Sequence, residues 1–287
     1  MNRGKWLIIK VACSPEHRDR AIELLWECET VGVEEREAGE RLFLLAYFGP
    51  SCSVQDVVGH LKGELSTTGD SHFEVTTAWV EFDGDEWIKN YQKHFQGVSV
   101  DNLFYIYPSW SIPPVQSSIA IQIDPGHAFG TGTHESTRLA LRAVHAVGSS
   151  ASRIIDVGTG SGILAIAAAL LNSSAEIVAI DNSSQSIEAA RENLRANEQE
   201  DRIRLVIGEP DSIAGDFDLV LANLTLEIFR KLAFRLSKLC ARDLVLSGFT
   251  CEQEAAVLNL FQKNGRFEVA HSWCEQDWGC CHLARIP

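Results

Sequence analysis

The sequence predicts an α/β domain whose mostly parallel sheet closes in an antiparallel hairpin, preceded by a small ferredoxin-like α+β domain. Three observations predict it. From residue 134 onward, apolar strand runs alternate with helical patterns, which is how a mostly parallel sheet is buried between two layers of helices. The last two strand runs, 266–273 and 279–286, have no helix between them. They must pair as a hairpin, with one strand running antiparallel at or near the sheet edge. Residues 1–80 instead follow the order β-α-β-β-α-β, the ferredoxin-like pattern. The chain thus divides into a front domain over 1–80, a linker with bridging strands over 81–123 and a main domain over 124–287.

In the front domain, "KWLIIKVA" over 5–12 is a strand. Residues 15–29, with Ala21, Ile22, Leu24, Leu25 and Trp26, form a helix opened by Ser14 as N-cap and Pro15 in the first turn. Residues 31–35 and 42–48 are strands around Ala38 and Gly39. Val54, Val57, Val58 and Leu61 recur at helical spacing over 53–65, and 73–80 alternates as a last strand. In the linker, "DEWIKNYQKHFQ" reads as a helix, "VSVDNLFYIYPSW" as one or two strands ending at Pro108, and "SIAIQI" as a further strand. Trp87, Phe95 and Trp110 are assigned to packing. The main domain has helices at 134–147, 161–171, 184–197, 225–239 and 251–264. Its strands are 153–157, 175–180, 202–207, 217–222 and 242–247, followed by the hairpin.

The bulk numbers exclude some functions. The 287 residues are 45% hydrophobic and 22% charged, which suits a sizeable core. With 25 basic against 39 acidic residues, the chain lacks the basic balance of a protein whose main partner is nucleic acid. No apolar run approaches the ~20 residues of a membrane span, so no membrane association is expected. The opening residues do not read as a signal peptide, so a cytoplasmic location is expected. Nothing demands a partner chain, and a monomer is expected. The eight cysteines include no C-x-x-C pair and are expected to be free thiols in a reducing compartment. Cys274, Cys280, Cys281 and His282 lie close in sequence, but adjacent cysteines on a strand face opposite ways, so no metal site is expected.

The chemistry concentrates in "RIIDVGTGSGILAIAAA", a strand, a glycine turn and a helix. Gly158, Gly160 and Gly162 leave the main chain bare where a ligand must approach, and the helix start offers unpaired N–H groups. The next strand, "EIVAID", ends at Asp181, whose carboxylate can accept from both hydroxyls of a ribose. Both features fall at the carboxyl ends of adjacent parallel strands, where open α/β sheets bind ligands. The spacing excludes two common nucleotide motifs. The dinucleotide fingerprint needs Gly or Ala at the sixth position, where Ile163 stands, and no stretch supplies a P-loop. G-x-G-x-G preceded by Asp156 is instead the first motif of class I S-adenosylmethionine-dependent methyltransferases. Asn223 ends a later strand at the same crevice. It is either a turn residue or a contact to the methionine end of the donor or to the incoming amine.

These stretches together resemble the ribosomal protein L-eleven methyltransferases (PrmA), over nearly the whole chain. The resemblance rests on "DPGHAFGTGTH", "IDVGTGSGILAIAA", "ARENLRANE", "ANLTLE" and "LSGF", with Trp87, Gln92, His94 and Phe95 in the linker and "PSW" at Pro108–Trp110. It implies a Rossmann-like class I methyltransferase domain and S-adenosylmethionine as cofactor. It implies methylation of amino groups, on lysine side chains or an N-terminal amine, of a large-subunit ribosomal protein that the front domain recognises. It places donor contacts on Thr137, Gly158, Asp181 and Asn223, beside the turn residue Gly160. Four departures bear on the substrate more than on the donor: "DNSS" stands where the family usually has D-x-D-P, so only Asp181 is retained, "HEST" replaces the commoner "HPTT", His127 stands where an aliphatic residue is usual, and the tail "WGCCHLARIP" is unusual in its cysteines.

In this reading Gly130 and Gly132 let the loop lie against the donor, and Thr131 and Thr133 cap the helix that starts near His134. Thr137 points a hydroxyl at the methionine end, and Phe129 shields the sulfonium or packs. No carboxylate stands out as a base, so Asn223 or backbone carbonyls orient a neutral amine, with His134 the runner-up base. The competing readings are a related methyltransferase for another protein or a small amine, and a non-catalytic donor-binding module. A nicotinamide oxidoreductase is disfavoured by Ile163.

Overall fold

The computed structural model describes residues 5–28, 30, 32–38, 41–48, 52–65, 74–81, 97–114, 119–124 and 130–286. The chain forms two compact units, Met1–Phe95 and Gln96–Pro287. The linker stretch "DEWIKNYQKHFQ", with Trp87, Gln92, His94 and Phe95, lies outside the described residues.

The first unit runs β1 (Lys5–Cys13), α1 (Arg18–Glu27), β2 (Gly32–Ala38), β3 (Arg41–Phe48), α2 (Val54–Leu65) and β4 (Glu74–Glu81). Its sheet has the order β2-β3-β1-β4, with every pair antiparallel, which is the ferredoxin-like arrangement. β3 shows why one face is covered. Leu42, Leu44, Ala46 and Phe48 recur with the strand's period of two and are buried with Leu24 and Leu25 of α1 and Leu61 of α2. The start of α1 differs from the expected cap. Pro15–His17 form a 3-10 turn, and the Ser14 hydroxyl lies 2.8 Å from His17 Nδ1, so serine and proline shape the approach to the helix rather than its first turn.

The second unit opens with β5 (Val98–Val100), β6 (Phe104–Tyr107) and β7 (Ile119–Gln122), which form a small sheet in that order. Asp101 and Asn102, with φ of 50° and 58°, make the β5–β6 turn. Aspartate and asparagine enter this left-handed region more readily than other side chains. Phe104, Ile106, Ile121 and Ile123 are buried in the second unit's core.

The main sheet comprises β8 (Arg153–Val157), β9 (Glu176–Asp181), β10 (Ile203–Ile207), β11 (Phe217–Asn223), β12 (Cys240–Thr250), β13 (Phe267–Glu275) and β14 (Trp278–Arg285). Its order is β10-β9-β8-β11-β12-β14-β13. The first five strands are parallel, and β14 inserts antiparallel between β12 and β13, so the reversed strand sits one in from the edge. Helix α3 (Glu135–Val147) leads into β8, and α4 (Ile163–Leu171), α5 (Ser184–Ala196), α6 (Leu226–Leu239) and α7 (Glu254–Asn264) follow β8, β9, β11 and β12. The central strands β8, β9, β11 and β12 are largely buried on both faces, so their apolar runs are continuous. Ile154, Ile177 and Leu219 enter one core cluster with α3 and α4, while Ile155, Val178 and Val220 enter another with α6 and α7. Chain progression reverses between β8 and β11, which opens a crevice at their carboxyl ends.

The expectation of free thiols fails for one pair. Cys251 and Cys274 form a disulfide, with Cα atoms 6.2 Å apart. One follows the end of β12 and the other lies near the end of β13, and the sheet brings both strand ends to the same rim, within a bridge's reach. Cys280 and Cys281 are buried in separate core clusters, as alternation along β14 requires. Among the described residues, no helix is long and apolar enough to cross a membrane.

Candidate active site

The crevice is floored by the turn between β8 and α4. Gly158, Gly160 and Gly162 have φ of 70°, 54° and 83°, in the left-handed region that glycine enters without steric cost. At Gly158 a Cβ would lie 2.4 Å from Leu224 Cδ2, so even a methyl would displace a neighbour. The Gly158 and Thr159 N–H groups donate to Ile180 O at 2.9 and 3.1 Å, which ties the turn to β9. Asp181, the last residue of β9, completes the tie. Its Oδ2 accepts from Gly160 N at 3.0 Å and its Oδ1 from Ser183 N at 2.9 Å. Each carboxylate oxygen keeps a further lone pair, so the group is oriented by the backbone and can still accept from a diol.

Asp156, two residues before Gly158, is buried beside the turn. Its Oδ2 accepts from Thr159 Oγ1 at 2.6 Å, and its Oδ1 is buried without a hydrogen bond. Burial pushes its pKa up to about 7, and nearby Asp181 adds to the rise. The Thr159 hydroxyl and the Ala165 N–H oppose it.

The opposite wall comes from β11, β12 and α3. Asn223, at the end of β11, donates from Nδ2 to Thr137 Oγ1 over a long 3.4 Å. Thr137 is fully buried in the first turn of α3. Asn223 Oδ1 is buried and accepts nothing. Beside it, Gly248 sits at a bulge where β12 shifts register against β14, with φ of 90°. The Ser247 hydroxyl lies 2.9 Å from Ser136 O and 3.1 Å from Gly279 O, joining α3 to β12 and β14.

Thr131 and Thr133 do not cap α3. Their hydroxyls meet each other at 2.9 Å, and the helix begins one residue later than expected, with His134 as N-cap. His134 is extended, and its Nδ1 accepts from Ser136 N at 3.2 Å, which satisfies one of the helix's orphan donors. Its ring also packs edge-on against Trp278 at 4.5 Å. This nitrogen is committed to the cap, which counts against His134 as the base.

Thr137, Gly158, Gly160, Asp181 and Asn223 are thus brought to one crevice at the sheet's carboxyl edge. A family model described as "Ribosomal protein L11 methyltransferase (PrmA)" matches residues 5–285. The chain belongs to this family. It is an S-adenosylmethionine-dependent methyltransferase. A ribosomal protein L11 methyltransferase of Clostridium perfringens is 28% identical over 264 residues, spanning 90% of this chain and 83% of the relative. One of Clostridium botulinum is 31% identical over the same shares. The crystal structure of a ribosomal protein L11 methylase from Lactobacillus delbrueckii subsp. bulgaricus superposes with a TM-score of 0.61 at 29% identity, covering 67% of this chain and all of that one.

In this PrmA-family chain the structure adds site residues that the sequence reading passed over. Ser161 donates to Gly130 O at 2.7 Å, and Asn193 Nδ2 donates to Ser161 O at 2.9 Å. Asn193 Oδ1 in turn accepts from Asp124 N at 3.4 Å. Both ends of the segment 125–129 are therefore anchored to the glycine turn and α5. The segment itself, with His127 and Phe129, lies outside the described residues. A signal for Asn193 was present, because it falls on the buried stripe of α5 with Ile187, Ala190 and Leu194. A buried amide needs partners. Asn182 and Glu209, paired at 2.9 Å just beyond the ends of β9 and β10, were also missed, and nothing in their spacing marked them.

Proposed function

We propose that this chain transfers methyl groups from S-adenosylmethionine to amino groups of ribosomal protein L11, lysine side chains or an N-terminal amine, in the cytoplasm. The family and the relatives' names support the substrate, and the crevice supports the chemistry. Asp181 accepts from the ribose hydroxyls, the bare turn at Gly158 and Gly160 lies along the donor, and Thr137 holds the methionine end. The Met1–Phe95 unit recognises the protein substrate.

The observation that carries the acceptor side is Asn223 Oδ1, a buried oxygen with a lone pair and no donor. An N–H of the incoming amine satisfies it and turns the nitrogen lone pair toward the methyl carbon. The N–C bond forms as the C–S bond breaks, in line, with nitrogen and carbon ~3 Å apart at the start. Sulfur leaves neutral in S-adenosylhomocysteine, and the new ammonium releases its proton to water. A lysine has an unperturbed pKa of ~10.4, so only about one in a thousand is neutral at pH 7. Desolvation and the adjacent sulfonium lower that pKa and raise the reactive fraction.

The test is methyl transfer from labelled donor to unmethylated large ribosomal subunits, with the labelled chain identified by mass spectrometry. Label on L11 is expected, and label on another protein alone overturns the substrate. In the same assay Asn223→Ala should lower kcat by roughly 100-fold, the scale of losing one oriented hydrogen bond at a reacting centre. An unchanged kcat removes Asn223 from the acceptor side.

A further inference from the structure

Behind the donor loop, two arginines of α3 converge on one carboxylate of the C-terminal hairpin. Glu275, the last residue of β13, accepts at Oε1 from Arg138 Nε at 3.1 Å and from Arg138 Nη2. Its Oε2 accepts from Arg142 Nη2 at 3.2 Å. Arg142 also pairs with Asp101 in the β5–β6 turn. Arg138 reaches two further partners, and one is Glu135 in the first turn of α3, 3.4 Å from Nη2. Arg138 Nη1 donates to Thr133 O at 2.8 Å, one residue before the cap of α3. A planar guanidinium holds a carboxylate and a loop carbonyl in fixed directions at less entropic cost than a flexible ammonium. The Arg138 and Glu275 side chains are 21% and 28% exposed, so solvent screens the pair less than at an open surface. The hairpin touches the same segment again through the Trp278–His134 ring contact.

We propose that Arg138 is a positioning residue for donor binding, fixed in that role by Glu275. Held from the hairpin, it sets the Thr133 carbonyl and the first turn of α3, and through them the Thr137 hydroxyl against Asn223. The inference rests on the reading of Thr137 as a donor contact. Glu275 still pairs with Arg142 when Arg138 is removed, and both side chains of the Arg138 pair reach solvent. Their loss should therefore move donor affinity ahead of global stability.

The experiment uses the full-length chain with Arg138→Met, Arg138→Lys and Glu275→Gln, and Asp181→Ala as reference. It reads donor KM, kcat, donor Kd by calorimetry and Tm. Arg138→Met is expected to raise donor KM and Kd roughly tenfold, the scale of one charge-assisted hydrogen bond. Its kcat should change by less than about threefold, the pattern of lost uniform binding. Arg138→Lys keeps the charge without the fork and should recover only part of the affinity. Glu275→Gln should weaken donor binding by less than Arg138→Met, and the double variant should match Arg138→Met alone, because both act through one contact. Unchanged donor KM and Kd in Arg138→Met, with or without a lower Tm, overturn the inference. If Asp181→Ala weakens donor binding in that case, the crevice assignment survives alone, and if Asp181→Ala is also silent, both fall.

Discussion

Gly248→Ala tests whether the end of β11 is held by the bulge in β12. The glycine has φ of 90°, where an L side chain is strained by ~1–2 kcal/mol. An added Cβ would lie 2.7 Å from Leu224 O, 2.8 Å from Asn223 Oδ1 and 2.9 Å from Leu224 N. Two of these are backbone atoms, and the Leu224 N–H is already bonded to Ser247 O at 2.9 Å, so the strand end cannot step aside alone. Overpacking of this kind costs a further ~1–3 kcal/mol. The expected loss is therefore ~2–5 kcal/mol of unfolding free energy, read from urea titrations. The clash falls on the Asn223 side chain, so kcat should drop more than about tenfold. Gly59→Ala in α2 is the control. A Cβ there meets nothing within 4 Å, and the change should be neutral or stabilising by up to ~1 kcal/mol. A Gly248→Ala protein with wild-type stability and wild-type kcat would refute the reasoning.

Three further predictions concern the remaining features. Asp156 is pushed up to about 7 from 3.8, so the folded chain keeps a proton that the unfolded chain releases between those pH values. Its contribution to stability is full below pH 4 and is lost as pH rises through 7, by about 4 kcal/mol across the window. Asp156→Asn should flatten that part of the stability profile, measured by urea unfolding without donor, and parallel profiles would remove Asp156 as the cause. The Cys251–Cys274 bridge closes a loop with a sequence separation of 23, worth about 3 kcal/mol by chain entropy. Excess dithiothreitol should lower Tm in the wild type and leave a Cys251→Ser/Cys274→Ser variant unmoved; equal shifts would assign the effect elsewhere. A chain lacking residues 1–80 should keep donor affinity within about threefold and lose methylation of L11. Full activity without those residues would end the recognition role of the first unit.

The sequence made the sheet legible because parallel strands buried on both faces read as unbroken apolar runs. "RIIDV" and "EIVAID" each match a strand to within a residue, and the glycine turn follows from its own spacing. The five crevice residues were legible for the same reason, since each lies at or just beyond a strand end or in the first turn of a helix. What was not legible is what joins distant segments. The Ser161–Gly130 and Asn193–Asp124 bonds span 31 and 69 residues, and Arg138–Glu275 spans 137. No local period encodes such pairs, because serine, asparagine and arginine are ordinary on exposed faces and become informative only when buried. The position of β14 inside β13, the His134 cap and the Cys251–Cys274 bridge were hidden in the same way.

Two buried acceptors give the crevice its electrostatic character. Asp156 Oδ1 and Asn223 Oδ1 both lack a donor, and they belong to the neighbouring strands β8 and β11 that flank the reversal of strand order. An unsatisfied buried acceptor costs ~1–3 kcal/mol, and Asn223 Oδ1, unlike the Asp156 carboxyl with its raised pKa, has no proton of its own to relieve it. An orphan oxygen of this kind favours a partner that carries N–H donors or positive charge. S-adenosylmethionine brings an ammonium and a sulfonium, and the substrate brings an amine.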